Sequence, residues 1–350
     1  MKTDIIKINQ HHPERDKLKY AAEVLRNGGL VAFPTETVYG LGANALNEAA
    51  VSNIFKAKGR PNDNPLIVHI ADNTALDMLT SSKPATADIL IKNFWPGPLT
   101  LVISRSPSIP DIVTAGLDSV AIRMPSHPIA HLLIKEAGVP VAAPSANSSG
   151  RPSPTCALHV IDDLEGKVDV IIDGGSVEVG LESTVLDITV PVPVILRPGG
   201  VTHEQLEAVL GRVDICPSLK DSEEGIHIPK SPGMKYRHYA PKARLVIYEG
   251  KPEEVSIEIN RVYRQNSESG IKSVVLATDE TVGHYPEIDV ITMGSRKKPD
   301  TIASRLFNVL REFDRQDVQV ILAESIDDHG IGFAVMNRLE KASGYNIVKV

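Results

Sequence analysis

The chain has 350 residues, 42% hydrophobic and 23% charged, with a formal net charge of −7. That length holds two domains that can each bury a core, and the acidic balance argues against a nucleic-acid binder that uses its whole surface, leaving only a local basic site open. Cys156 and Cys216 supply neither a disulfide framework nor a metal-ligand spacing, "MKTDIIKINQHHPERDK" lacks an apolar signal segment, and no apolar run is long enough to span a bilayer; a reducing cytoplasm is the expected location.

In chain order, "KLKYAAEVLRNGG" predicts an amphipathic helix with a glycine stop and "LVAF" a short buried strand. The strand leaves the core through "PTETVYGLG", an exit crowded with hydroxyls and a carboxylate. "EAAVSNIFKAKG" predicts a helix ended by Gly59, "PLIVHI", "LTLVISR" and "SVAIRMP" predict strands, and "HPIAHLLIKEAG" a helix. "VPVAAPSAN", "VDVIIDGG", "STVLDIT" and "PVILRPGG" read as further strands before the helix "THEQLEAVLG". This rhythm predicts an α/β domain with a large mixed sheet over residues 1–211. Periodicity fades over 212–242, rich in Pro, Ser, Gly and charge, which reads as an interdomain linker. Residues 243–350 restart the alternation, with strands in "ARLVIYEG", "KSVVLAT", "IDVITM" and "VQVILAES" separated by helical patterns, and predict a smaller parallel, Rossmann-like sheet.

Several motifs compete for the chemistry. "GLGANA" from Gly40 fits a dinucleotide fingerprint, but "PTETVY" separates it from the strand and the region downstream is basic rather than acidic, so a shaped loop is the better reading. His127 and His131 share a helix face without a third ligand nearby and read as cap and surface residues; no metal site is expected. Lys56, Lys58 and Arg60 close a helix, where compensation of the helix dipole would account for them taken alone. Yet Arg123, Arg151 and Arg197 also stand where apolar strands meet proline-bearing turns. Several arginines converging in an acidic protein predict an anionic small substrate, since guanidinium forks match carboxylate and phosphate oxygens. "PSANSSGRPSPT" is a Ser/Asn loop able to cradle phosphates, and it carries no nucleophile motif around Ser145.

Taken together, "PTETVYGLG", "KAKGRP" with "NPLIVHI", "WPGPLT", "AIRMPSHP", "PSANSSGRPSPT", "ESTVLD", "ILRPGG" and "SPGMKYRHYAPKA" resemble the L-threonylcarbamoyl-adenylate synthases, in the long two-domain form of the YrdC-like family. The resemblance implies a nucleotidyltransferase that makes threonylcarbamoyl-AMP and pyrophosphate from L-threonine, bicarbonate or CO2, and ATP with Mg2+. It implies hand-over of the product to the tRNA threonylcarbamoyl transferase machinery, and a possible contact with tRNA. On this resemblance Thr37, His69, Arg123 and Ser183 would bind threonine. Arg60, Asn64, Ser119, Ala143 (through its backbone), Ser145, Ser153, Arg197 and Tyr236 would bind ATP, with Tyr236 folding back from the 212–242 segment as an active-site lid and His238 and Tyr239 weaker candidates for the same role. Lys56, Lys58 and Arg60 would be the catalytic cations, Lys56 and Lys58 supplying charge for the phosphates and bicarbonate. Glu36 would orient neighbouring donors or the substrate amine. Two rivals remain: an RNA-binding module using a basic cavity, and a carbamoyltransferase maturation domain, whose zinc-finger and acylphosphatase-like segments have no counterpart here.

Overall fold

The computed structural model describes residues 2–219 and 239–350, and these fall into two compact units, 2–149 with 153–219 and 150–152 with 239–350. The first unit is built on strands β1 (Asp4–Lys7), β2 (Val31–Phe33), β3 (Gly40–Asn44), β4 (Ile67–His69), β5 (Leu99–Ser104), β6 (Ser119–Arg123), β7 (Val141–Ala142), β8 (Val170–Asp173), β9 (Thr184–Asp187), β10 (Val194–Arg197) and β11 (Asp214–Ile215). They form one mixed sheet in the order β1-β8-β2-β3-β7-β4-β6-β5-β9-β10-β11. Its helices are α1 (Arg15–Arg26), α2 (Glu48–Lys58), α3 (Asn73–Leu79), α4 (Ala85–Phe94), α5 (Asp111–Thr114), α6 (Pro128–Ala137), α7 (Ala157–Leu164) and α8 (His203–Leu210).

Local sequence explains most of these boundaries. In α1 the buried residues Leu18, Ala21, Ala22 and Leu25 repeat at i, i+3, i+4 and i+7, one stripe of an amphipathic helix. Asn47 caps α2 by accepting from the Ala50 N–H, and Gly59 ends it at φ 62°, a left-handed turn that glycine adopts at little cost. His127, in the pair weighed as metal ligands, caps α6 by accepting from the Ile129 N–H at 3.2 Å.

Two differences from the sequence expectation matter. "GLGAN" is strand β3, antiparallel to β2, so "PTETVY" is the loop of a hairpin and the glycines open no helix. A phosphate-binding glycine turn leads straight into a helix N-terminus, whereas here both glycines lie within β3 and α2 begins only at Glu48. Gly42 is required for a packing reason: a Cβ there would sit 2.7 Å from Phe33 Cε1 and 2.8 Å from Val141 Cγ1. Second, β11 pairs with β10 at Val194–Asp214 and Ile195–Ile215, so the stretch read as linker from 212 begins inside the sheet. Its two-residue length hides it from any periodicity argument.

The sheet's two faces are covered differently, and this places the site. One face carries the main core, where Ala32, Leu41, Ala43, Val68, Leu101, Ile122 and Ala142 meet apolar residues of α2, α3, α4, α7 and α8. On the other face α1 and α6 pack over Val31, Phe33, Val141, Val170 and Ile172. Farther along that second face the buried apolar set shrinks to Ile67, Val102, Ala121, Val185 and Leu196. Polar side chains take the remaining positions.

The second unit has β12 (Arg244–Glu249), β13 (Ser273–Ala277), β14 (Val290–Thr292), β15 (Val320–Glu324) and β16 (Ile347–Lys349), all parallel in the order β14-β13-β15-β12-β16, with helices α9 (Pro252–Glu268), α10 (Pro299–Arg315) and α11 (Ile331–Ser343). The Rossmann-like expectation holds, with β16 the strand not foreseen. Tyr239 belongs to this unit's packing: its ring stacks on Phe307 at 5.1 Å, and the buried Arg338 guanidinium lies 5.5 Å from its centroid. Among the described residues, no helix of either unit is long and apolar enough to cross a membrane.

A buried carboxylate organises the loops at the carboxyl end of this sheet. Glu324 is fully buried, pairs with Arg296 at 2.7 Å, and accepts from Thr278, Thr281 and Tyr285. Glu324→Ala leaves these donors and the Arg296 charge without their acceptor, an expected loss of about 3–5 kcal/mol. Urea unfolding of the full chain followed by hydrogen exchange in β13 and β15 checks this; protection equal to wild type would refute it.

Candidate active site

The hairpin loop between β2 and β3 is folded by its own hydroxyls. Thr35 Oγ1 accepts from the N–H groups of Thr37 and Val38 and donates to the Val38 carbonyl at 2.7 Å. Tyr39 is buried beneath the loop, its hydroxyl donating to the Gly175 carbonyl at 2.6 Å and accepting from the Gly174 N–H. Burial pushes the Tyr39 phenol well above its ordinary range, which suits a packing role. The loop is thereby rigid, and it presents Glu36 and Thr37 at 5% and 0% exposure.

Arg123 ends β6, and sheet register puts His69 of β4 directly beside it. The guanidinium is 3% exposed. Its Nε donates to the Gly97 carbonyl at 3.2 Å, its Nη1 to Thr37 Oγ1 at 2.9 Å, and its Nη2 lies 2.7 Å from Glu36 Oε1. That last contact is an ion pair without hydrogen-bond alignment: among the described residues neither Glu36 oxygen nor Arg123 Nη2 has a well-directed partner. Burial would raise the Glu36 pKa, but the adjacent Arg123 charge holds it below the usual carboxylate range. His69 is lowered to about 3, by burial first and then by Arg123, and is therefore a neutral imidazole at pH 7. His127 is lowered to about 4 by burial.

A second arginine closes the other side. Where β10 meets β9, Ile195 pairs with Leu186 and Arg197 with Val185, so two residues oppose one. Such a bulge re-aims a side chain. Arg197 donates through Nε and Nη2 to the Ser183 carbonyl, at 3.1 and 2.9 Å, and through Nη2 to Ser183 Oγ at 3.1 Å. Ser183 Oγ lies 2.7 Å from Thr100 Oγ1, and Thr100 follows the Leu101–Ile122 pair toward Arg123. The "PGG" after Arg197 permits this approach: a Cβ on Gly199 would meet the Glu182 carbonyl oxygen at 2.2 Å and Ser183 and Thr184 backbone atoms at 2.4 Å.

The remaining expected residues divide. Lys58 is 4% exposed and donates to the Ser145 and Asn147 carbonyls, both at 2.5 Å, so it ties the "PSAN" loop to α2. Ser145 Oγ donates to Asn147 Oδ1, and Ser153 Oγ to Glu182 Oε1, beside Ser183. Arg60 Nη2 donates to the Asn64 and Pro65 carbonyls, while Asn64 Oδ1 is buried without a partner among the described residues. Ser119 shares a sheet face with Arg123, roughly 13 Å away along β6. The Ala143 N–H is engaged by the Ile67 carbonyl, so a backbone contact from Ala143 would use its carbonyl. Lys56 is separated from the group: two positions before Lys58 on α2 it faces the opposite side, exposed, with Asn53 as its neighbour. Tyr236 and His238 lie outside the described residues, as does most of the expected lid segment.

Sequence reasoning missed Thr35, Thr100 and Glu182. The signal was available for Thr100, a lone hydroxyl in the apolar strand "LTLVIS" that must find a buried partner.

Two family models match the chain: the one described as telomere recombination covers residues 23–199, and the one described as threonylcarbamoyl-AMP synthase, C-terminal domain, covers residues 201–344. A threonylcarbamoyl-AMP synthase of Pyrococcus abyssi is 50% identical over 337 residues, 96% of this chain and 97% of its own. The chain belongs to the threonylcarbamoyl-AMP synthase family. A second synthase, from Bacillus subtilis, is 51% identical over 334 residues, 95% of this chain and 94% of its own. A crystal structure of P. abyssi Sua5 complexed with L-threonine has a TM-score of 0.94 at 49% identity, covering 99% of this chain and 100% of that one. Membership in a synthase family makes the chain an enzyme and favours that reading over the RNA-binding module.

Two outcomes follow from the geometry. Gly199→Ala must displace the 182–184 backbone; the expected result is a loss of about 1–3 kcal/mol in stability together with activity, read by urea unfolding and turnover, and wild-type values in both would refute the packing argument. His69 and His127 stay neutral when folded but protonate when unfolded below about pH 6.5. The unfolded chain then binds more protons, so stability erodes as pH falls below 6.5, by up to about 1.4 kcal/mol per pH unit for each imidazole. His127→Asn keeps a capping acceptor and should flatten the slope between pH 6.5 and 5; an unaltered slope would exclude the assignment.

Proposed function

We propose that the first unit joins L-threonine, bicarbonate or CO2, and ATP into threonylcarbamoyl-AMP, with release of pyrophosphate. The observation that carries this reading is the pair of buried arginines on one sheet face, each held by hydroxyl-bearing partners, Arg123 by Thr37 and Arg197 by Ser183. Buried guanidinium groups fit carboxylate and phosphate oxygens. Among the described residues the site offers no activated nucleophile, and this chemistry requires none. The threonine amine, once deprotonated, adds to the carbon of CO2, or to that of bicarbonate with loss of water, and forms the carbamate. A carbamate oxygen then attacks the α-phosphorus, and pyrophosphate leaves. The protein's part is alignment and stabilisation of negative oxygens, which can supply most of the acceleration.

In this reading Arg123 takes the threonine carboxylate, with Thr37, His69 and Ser183 around the substrate. The neutral His69 imidazole adds no charge that would compete with Arg123. Arg60, Asn64, Ser119, Ser145, Ser153 and Arg197, with the Ala143 carbonyl, line the ATP site; the unpartnered Asn64 oxygen would accept from the adenine or ribose. Lys58 acts from beneath, fixing the loop that faces the phosphates. Mg2+ would arrive on the phosphates of ATP, bound through their oxygens. The product, a reactive mixed anhydride, suits transfer to the adenosine of a tRNA by a separate enzyme.

The test is pyrophosphate release by the full chain with ATP, bicarbonate and each amino acid in turn. Release should require both threonine and bicarbonate, and release indifferent to threonine would overturn the reading. Arg123→Ala removes one partner of a buried charged contact, worth on the order of 2–5 kcal/mol, and should raise the threonine requirement about thirty-fold or more.

A further inference from the structure

Glu36 is placed as a recognition group rather than as a mere companion of Arg123. Its carboxylate is 5% exposed, and among the described residues neither oxygen receives a well-directed hydrogen bond. The Arg123 side chain and the backbone N–H groups of Glu36 itself and of Ser126 favour its charge, yet none is aligned as a well-directed hydrogen bond to either oxygen. An ionised carboxylate is acceptor-only, with room for several donors, and leaving it dry and under-bonded is costly. A carboxylate whose only task was to neutralise Arg123 would sit in line with the guanidinium fork; here the contact is close, 2.7 Å, but misaligned.

Arg123 is likewise only partly used. Among the described residues Nε is spent on Gly97 and Nη1 on Thr37, which leaves Nη2 without a well-directed acceptor. An anion short of donors next to a cation with donors to spare is the complement of a zwitterion. Of the three reactants in the proposed function, only the amino acid carries a cationic donor. ATP and bicarbonate are anions that Glu36 would repel. Among the described residues the titratable groups whose fields reach Glu36 are Arg123, His69 and His127; both imidazoles are neutral at pH 7, so of these only Arg123 is a cation that offsets it.

We propose that Glu36 receives the α-ammonium group of the amino-acid substrate while Arg123 receives its carboxylate, so that the buried pair selects zwitterionic α-amino acids. The inference rests on the threonine reading above and adds to it a residue that sets specificity.

Calorimetric titration of the full chain without ATP, using L-threonine and (R)-3-hydroxybutyrate, tests it. The second ligand keeps the carboxylate and hydroxyl and replaces the ammonium by hydrogen. Wild-type protein should bind L-threonine about thirty-fold or more tightly than the hydroxy acid. Glu36→Gln should weaken threonine by a similar factor and leave the hydroxy acid within about three-fold, because its contacts are untouched. Equal weakening of both ligands would mean that Glu36 only holds Arg123 in place, and no change in either would mean that it meets neither; both results overturn the proposal. Should the variant fail to fold, the wild-type comparison still decides: equal binding of the two ligands refutes it. Failure of the wild-type chain to bind threonine at all would instead strike the threonine reading itself, and this inference with it.

Discussion

A guanidinium removed from water is the constraint around which the first unit is arranged. Arg123, at 3% exposure, needs acceptors and a counter-charge, and each comes from a different part of the chain: Gly97 before β5, and Thr37 and Glu36 from the loop between β2 and β3. A buried ion pair is weak evidence of stability, because desolvating two charges offsets much of their attraction. Two well-packed apolar residues would serve folding as well or better. Keeping a misaligned pair with unused donors and acceptors is therefore reasonable only if another molecule completes it.

The sheet makes that arrangement possible. One face is given wholly to the core, and α1 and α6 occupy part of the other. Where those helices stop, the second face passes from apolar to polar within the same strands: Ser119, Ala121 and Arg123 alternate with Val120 and Ile122, which point into the main core. Each strand thus serves the fold with one side and the substrate site with the other. The bulge in β10 breaks strict alternation at Arg197, and its cost is accepted where the side chain must reach Ser183. The same logic explains Gly199, whose missing Cβ lets the 182–184 backbone close over the arginine.

The second unit shows that buried charge can also be purely internal. Glu324 is fully enclosed like Glu36, but it receives donors from Thr278, Thr281, Tyr285 and Arg296, so its acceptor positions are well filled. The contrast between a satisfied carboxylate and an under-bonded one separates a structural brace from a ligand-binding group more clearly than burial does.

The residue order by itself determined the α/β class, the two-part organisation, most strands and helices, and the placement of Arg123 and Arg197 at strand ends, because these depend on local periodicity, turn residues and composition. The ordered motifs carried the resemblance that family membership bears out. Only the tertiary structure decided that "GLGAN" is a strand, that Lys56 and Lys58 face opposite ways, that Tyr239 packs on Phe307, and that Thr100 meets Ser183. Those facts depend on pairings between residues far apart in the chain, such as His69 with Arg123 and Gly40 with Phe33. A two-residue slip along either strand would keep the same face toward the core and the same hydrophobic pattern, yet dismantle the site, so no local pattern could have specified it.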